Sequence, residues 1–113
     1  MWHDGVAAPD AEALMRSRYV AYVLGLQAYL LETWHSSTRP VLLDLAGNKN
    51  LHWLGLQVRR HELTESTAAL VEFVARYRID GGRVQRLHEI SRFVCESNRW
   101  HYVDGLFPGE KTK

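Results

Sequence analysis

Two acidic residues in the C-terminal part of the chain, Glu89 and Asp104, stand among aromatic and hydroxyl side chains that can surround a binding site. Glu89 is followed at two-residue steps by Ser91 and Phe93, and Asp104 is preceded at the same step by Tyr102. Alternate residues of a strand project from one face of a sheet, so each series forms part of a single wall. A carboxyl group in such a wall can hold a polar ligand or exchange a proton with it.

A third charged residue, Arg18, lies on the apolar stripe of the first predicted helix. Burial of a guanidinium without a partner is too costly to expect, so an acid on the sheet should meet it, and Glu89 and Asp104 are the candidates. Two interpretations stay open. Either the ion pair fixes how the helix docks on the sheet, or Arg18 and the acid line a cavity that binds an anionic or polar ligand.

The elements that position these residues begin with two helices. The first is predicted to start after the N-cap Asp10 and to run to about Leu24, with Gly25 as the left-handed residue that ends it. Its apolar stripe recurs at steps of three and four and contains Ala11, Leu14, Met15, Tyr19, Tyr22 and Val23. A second short helix, Leu26–Trp34, follows with almost no linker, so the two should form a bent pair.

Three strand-like runs, rich in β-branched and aromatic residues, are predicted to form an antiparallel meander: Ala69–Ile79, Val84–Cys95 and Trp100–Asp104. The polar turns Asp80–Arg83 and Glu96–Arg99 join them. Gly105 and Pro108 are expected to end the last strand.

The stretch between the helices and the meander is predicted to contain one helical turn at Val41–Leu45, a strand at His52–His61 and a turn at Leu63–Thr67. Helices followed by about four antiparallel strands make an α+β domain in which the helices cover one face of the sheet.

The register of the last hairpin decides which side chains project from the same face of the sheet. If Cys95 lies opposite Trp100, then Phe93 faces Tyr102, and Ser91 faces Asp104. The predicted lining of the cavity on this side of the sheet then consists of Glu89, Ser91, Phe93, Trp100, Tyr102 and Asp104.

The register of the first hairpin stays open between two alternatives. A two-residue Gly-Gly turn places Glu72 opposite Ser91, whereas a bulged three-residue turn places Phe73, Ala75 and Tyr77 on the side of Glu89. The apolar run of the strand favours the bulged turn.

Length and composition set the remaining bounds. The 113 residues predict a single domain with its core at about 9–105 and loose ends, and a net charge of +1 gives no support for nucleic-acid binding. No apolar run is long enough to span a membrane, and the start of the chain lacks the form of a signal peptide. With a single cysteine, these features predict a cytoplasmic protein.

The histidines do not predict a metal site. His52 and His61 are too far apart along one strand to share an ion, and His88 and His101 fall on different strands without an obvious carboxylate between them. Cys95 is most simply a small core residue. We therefore expect neither a bound metal nor a cofactor.

Several motifs together resemble the YchJ-like bacterial proteins, in order and spacing, over roughly Pro9–Gly105. They are Leu14-Met15-Arg16-Ser17-Arg18-Tyr19, Thr33-Trp34-His35, Trp53-Leu54-Gly55-Leu56, Phe73-Val74-Ala75-Arg76, Glu89 with Ser91-Arg92-Phe93, and Trp100 with Tyr102-Val103-Asp104-Gly105. The resemblance implies a nuclear transport factor 2-like (NTF2-like) fold, a curved antiparallel sheet wrapped around a long helix to form a cone with a cavity at its open end. It implies no settled activity. The cysteine-rich metal-binding segments that such proteins often carry at their ends are not found in this sequence.

The resemblance leads to an expected ligand pocket made of Arg18, Tyr22, Trp34, Phe73, Ser91, Phe93, Trp100 and Asp104. The expected function is binding of an unknown small molecule, or interaction with a partner. The alternative is a cofactor-independent isomerase, dehydratase or hydrolase in which Glu89 is the acid–base group and Tyr102 or Tyr22 the hydrogen-bond donor. A pure protein-interaction scaffold, with a filled cone, is a third hypothesis.

The outward face of the sheet, with Arg92, Val94, His101 and Val103, is expected to be able to pair two copies of the chain in a homodimer.

Overall fold

Two helices precede a four-stranded antiparallel sheet in the computed structural model, which describes residues 8–41, 43 and 50–108. The elements are α1 (Ala11–Leu24), α2 (Gln27–Glu32), β1 (Leu51–Glu65), β2 (Ala68–Ile79), β3 (Gln85–Glu96) and β4 (Arg99–Leu106). The strands lie side by side in the order β1-β2-β3-β4. This architecture confirms the predicted α+β layout and the antiparallel meander.

The bounds of α1 follow from its caps, as predicted. Asp10 accepts a hydrogen bond from the backbone N–H of Ala13 at 2.8 Å, which satisfies one of the free donors at the start of the helix. At the other end Gly25 has φ 72°, a left-handed conformation that glycine adopts without steric cost.

The first hairpin is longer than the sequence indicates. The turn or loop predicted at Leu63–Thr67 is too long at its start, because β1 continues to Glu65 and only residues 66 and 67 form the turn. Residues 62–65 are all exposed, so this end of the hairpin extends beyond the core and carries no apolar alternation to mark it. The predicted helical turn Val41–Leu45 lies outside the described residues except for residues 41 and 43.

The core lies between α1 and one face of the sheet, which we call the inner face. Its buried members are Ala8, Ala11, Leu14, Met15, Ala69, Val71, Phe73, Ala75 and Phe93. A smaller cluster of Ala21, Tyr29 and Leu30 joins α2 to the end of α1. The helices therefore cover the inner face, and the outer face has no helix against it in the described part of the chain.

The register between β2 and β3 places Phe73 opposite Glu89 and Ala75 opposite Leu87. Phe73 and Ala75 consequently share the inner face with Glu89, as the bulged alternative predicted. The other alternative, with Glu72 opposite Ser91, is wrong because Val71 occupies that position.

The register between β3 and β4 agrees with the prediction at the turn and departs from it further along. Cys95 lies opposite Trp100 and Phe93 opposite Tyr102, but a β-bulge after Tyr102 shifts the rest of β4. Ser91 therefore pairs with Gly105 instead of Asp104. A one-residue shift transfers a side chain to the other face of the sheet, so Asp104 projects from the outer face.

No helix within the described residues has the length and apolarity that a membrane crossing needs.

Candidate functional site

A partly open pocket of about 240 Å³ lies between α1 and the inner face of the sheet. It is lined by Met15, Arg18, Tyr19, Tyr22, Trp53, Phe73, Ala75, Leu87, Glu89, Ser91, Phe93 and Tyr102. Most of these side chains are apolar or aromatic. A single carboxyl group and a single guanidinium stand among them, so the electrostatics of the pocket depend on Glu89 and Arg18.

Two hydroxyl groups hold the Glu89 carboxyl group by hydrogen bonds. Its Oε2 accepts hydrogen bonds from Ser91 Oγ at 2.7 Å and from Tyr102 Oη at 3.1 Å. Its Oε1 accepts no hydrogen bond within the described chain, and the Glu89 side chain lines the pocket. Burial raises the pKa of Glu89, although the two hydrogen bonds and the charge of Arg18 act in the opposite direction.

Gly105 on β4 lies directly beside the Glu89 carboxyl group. A Cβ atom added at position 105 would collide with the Glu89 carboxyl group in its present position, so glycine at this point of β4 leaves room for that group. The sequence predicts the end of the strand at Gly105, whereas β4 continues to Leu106. The role of Gly105 beside Glu89 was not predicted, although a glycine inside a strand often marks a close approach of another group.

Arg18 is 5% exposed and has no acid partner within the described part of the chain. Its Nη1 donates to the carbonyl oxygen of Leu30 at 2.8 Å and to Thr33 Oγ1 at 2.6 Å. Its Cζ lies 4.6 Å from the ring centroid of Tyr102 and 5.2 Å from that of Trp34, both within the range of cation–π attraction.

The predicted ion pair of Arg18 with Glu89 or Asp104 is therefore wrong. No carboxylate of the described chain lies within 4.0 Å of the guanidinium. The reason is that α2 and two aromatic rings stabilise the cation in place of an acid. Burial nevertheless lowers the pKa of Arg18, and the charge of Glu89 is among the influences that oppose this.

A backbone link between the end of α2 and β4 fixes these partners relative to one another. The N–H of Tyr102 donates to the carbonyl oxygen of Thr33 at 2.9 Å, and the N–H of His35 donates to the carbonyl oxygen of Tyr102 at 2.7 Å. Trp34, between them, packs edge-on against Tyr102 at 5.1 Å. Trp34 therefore packs against the guanidinium of Arg18 but does not line the pocket.

Two other predicted pocket residues lie elsewhere. Asp104, on the outer face, accepts hydrogen bonds from Arg92 Nε at 2.6 Å and Nη2 at 2.7 Å, and this pairing lowers its pKa. Trp100 packs against the core opposite Cys95 and is not part of the lining. The β-bulge explains the position of Asp104, since it transfers that side chain to the outer face.

The predicted residues that do meet in the pocket are Arg18, Tyr22, Phe73, Glu89, Ser91, Phe93 and Tyr102. The lining residues that were not predicted from the sequence include Met15, Tyr19 and Trp53. Trp53 contacts the rings of Tyr19, Tyr22 and Tyr77 at centroid distances of 5.7, 6.4 and 5.6 Å. The signal was present in the two tyrosines of the α1 stripe, which must pack against something on the sheet.

Tyr102 contacts both charged residues of the pocket, Arg18 and Glu89. The Tyr102 ring lies against Arg18, while its hydroxyl donates to Glu89. Such a pair can fix a polar group of a ligand, and Oε1, which accepts no hydrogen bond within the described chain, can give or take a proton there. Within residues 8–41, 43 and 50–108, no three His, Cys, Asp or Glu side chains converge as metal ligands.

Comparison with known proteins agrees with this architecture. Relatives include a UPF0225 protein of Polaromonas naphthalenivorans, 59% identical over 103 residues that span 91% of this chain and 74% of the relative. A UPF0225 protein of Bordetella pertussis is 54% identical over 107 residues, 92% of this chain and 79% of that protein.

The solution structure of RPA3114, a SEC-C motif containing protein from Rhodopseudomonas palustris, superimposes with a TM-score of 0.79. It is 36% identical and covers 89% of this chain and 80% of its own. Residues 10–105 match the family model described as the middle NTF2-like domain of YchJ. The chain therefore belongs to the YchJ-like family and contains its NTF2-like domain.

Proposed function

We propose that this domain binds a small, largely apolar molecule in the pocket between α1 and the sheet. The observation that supports it is the Glu89 carboxyl group in a mainly apolar and aromatic wall, because a few polar groups in an apolar concavity are typical of ligand sites. A cavity of about 150 Å³ holds benzene. The pocket of about 240 Å³ therefore suits a one-ring molecule with a short substituent, and its volume favours a ligand over a filled scaffold.

Native mass spectrometry of protein purified without added ligand, at low and high concentration, tests this proposal. We expect a retained small molecule, and we expect Leu87→Trp, which fills the pocket, to abolish its retention. Leu70→Trp is the matched control, because Leu70 lies on the neighbouring strand opposite Arg92 and outside the pocket lining.

Thermal denaturation of both variants checks that they fold. Equal retention by the wild type and both tryptophan variants would show that the molecule is bound elsewhere. If the wild type has an apo mass, NMR titration with one-ring probes at millimolar concentration decides the matter, and the absence of any shift rejects the proposal.

A second candidate function is cofactor-independent acid–base catalysis by Glu89. It is favoured by a carboxyl oxygen that accepts no hydrogen bond within the described chain, together with a pKa raised by burial, because a raised pKa brings a carboxyl group closer to the neutral range. The test is to incubate the retained molecule in D₂O with the wild type and with Glu89→Gln. Catalysis predicts deuterium incorporation or conversion by the wild type alone, and equal behaviour of the two proteins would remove Glu89 from this role.

A further inference from the structure

The titratable groups near Glu89 lie on two of the elements packed around it. α1 contributes Arg18 and Tyr22, β4 contributes Tyr102 and the more distant Asp104, and β2 contributes only the uncharged Phe73 opposite it. On its own strand the neighbour is Ser91. Because Asp104 is neutralised by Arg92 on the outer face, the pocket itself holds one positive and one negative group that do not touch.

We propose that the ligand is a small monocarboxylate whose carboxylate pairs with Arg18, and that Glu89 takes up one proton from the solvent when this ligand binds. The inference rests on the proposed function and names the ligand class of the same site.

The choice of a carboxylate follows from Arg18. A buried guanidinium that meets no acid among the described residues favours an anion, and a carboxylate matches its fork of N–H donors. Only Nη1 is used by α2, and Tyr22, one turn further along α1, lies against the same guanidinium. A doubly charged phosphate would bring a second charge that no other cation in the pocket lining balances.

The proton uptake follows from charge balance. The Tyr102 ring lies against Arg18 and its hydroxyl lies on Glu89, so an anion at Arg18 comes close to the Glu89 carboxyl group. Before binding, the charges of Arg18 and ionised Glu89 sum to zero. An added carboxylate leaves one excess negative charge in an apolar site, and protonation of Glu89 removes it.

The geometry of Glu89 accommodates the proton. Oε2 keeps the hydrogen bonds from Ser91 and Tyr102, while Oε1 accepts none and can carry the proton toward the ligand. The O–H bond is formed with a proton from the solvent, and no other bond is made or broken.

Isothermal titration calorimetry tests both parts of the proposal. Benzoate, phenylacetate and the neutral benzamide are titrated at pH 7.5 in phosphate and in Tris, which differ in ionisation enthalpy. We expect at least tenfold tighter binding of a carboxylate than of benzamide, and uptake of close to one proton for each carboxylate bound. Above the pKa of Glu89, the affinity of the wild type should fall by up to tenfold for each unit of pH.

Variants separate the contributions. Arg18→Met should remove the preference for carboxylates, whereas Arg16→Met, on the exposed side of the same helix, should leave it unchanged. Glu89→Gln should bind benzoate without proton uptake, whereas Glu72→Gln, on the outer face beside His88, should keep the uptake. If Glu89→Gln does not fold, the pH dependence of the wild type still decides the question.

Carboxylate binding without proton uptake would overturn the role of Glu89. Equal or tighter binding of benzamide would overturn the ligand class but leave the proposed function intact. If none of the three probes binds at 10 mM while native mass spectrometry retains another molecule, the monocarboxylate is wrong and the pocket function stands. If neither experiment shows a ligand, both proposals fail.

Discussion

Replacement of Gly105 by alanine tests how the structure positions Glu89. The new Cβ would occupy the space of the Glu89 carboxyl group, so that side chain must move away from Ser91 and Tyr102. Hydrogen bonds to a charged group contribute about 1.5–3 kcal/mol each. Loss of glycine from the unfolded chain opposes this by about 0.4–1 kcal/mol.

We therefore expect Gly105→Ala to lower the free energy of unfolding by about 2–5.5 kcal/mol, measured by urea denaturation followed by tryptophan fluorescence. Gly81→Ala is the matched control, because a Cβ there meets nothing within 4 Å. Its effect should stay within about 1 kcal/mol of zero.

A double-mutant cycle makes the test specific. In a Glu89→Ala background the obstructing carboxyl group is absent, so Gly105→Ala should cost little, and the coupling energy should be at least about 2 kcal/mol. The same loss of stability in both backgrounds would show that Gly105 acts through the backbone alone, and the reasoning about Glu89 would be wrong.

Three further predictions concern stability. Phe93→Ala, at a core position that is 1% exposed, should cost about 3–5 kcal/mol in urea denaturation, while Arg92→Ala next to it on the outer face should cost less than about 1 kcal/mol; similar losses would contradict the assigned faces. Asp10→Ala should lower the free energy of unfolding by about 1 kcal/mol through loss of the cap of α1, and Asp10→Asn, which keeps an acceptor, should restore most of it. Because burial raises the pKa of Glu89, the unfolded chain releases that proton first, so wild-type stability should fall as pH rises from the ordinary glutamate range through the folded pKa. Urea denaturation from pH 4 to 8 should show a flatter profile for Glu89→Gln, and parallel profiles would refute the shift.

Features set by short-range interactions were predictable from the sequence. Asp10 and Gly25 bound α1 because each acts on backbone groups within one helical turn. The turn at Ser97 and Asn98, with φ of 52° and 63°, likewise fixed Cys95 opposite Trp100. These choices depend on a few neighbouring residues, and the sequence shows them directly.

Features that depend on distant contacts were not predictable in the same way. The bulge after Tyr102 moves Asp104 to the outer face, and no turn residue signals it. The partners of Arg18 lie 12 and 15 residues away on α2, where Leu30 and Thr33 gave no sign of a polar role. The burial of Arg18 was therefore predicted, whereas the groups that stabilise its guanidinium were not.

The central claim is that a small molecule binds between α1 and the inner face of the sheet. The most direct test is the NMR signal of the tryptophan indole N–H groups during titration with the retained molecule or with benzoate. Trp53 lines the pocket, whereas Trp100 packs against the core outside it, so one spectrum contains both the reporter and its control. We expect a saturable shift of the Trp53 signal with little change at Trp100. Saturable binding that moves Trp100 and leaves Trp53 unchanged would contradict the central claim.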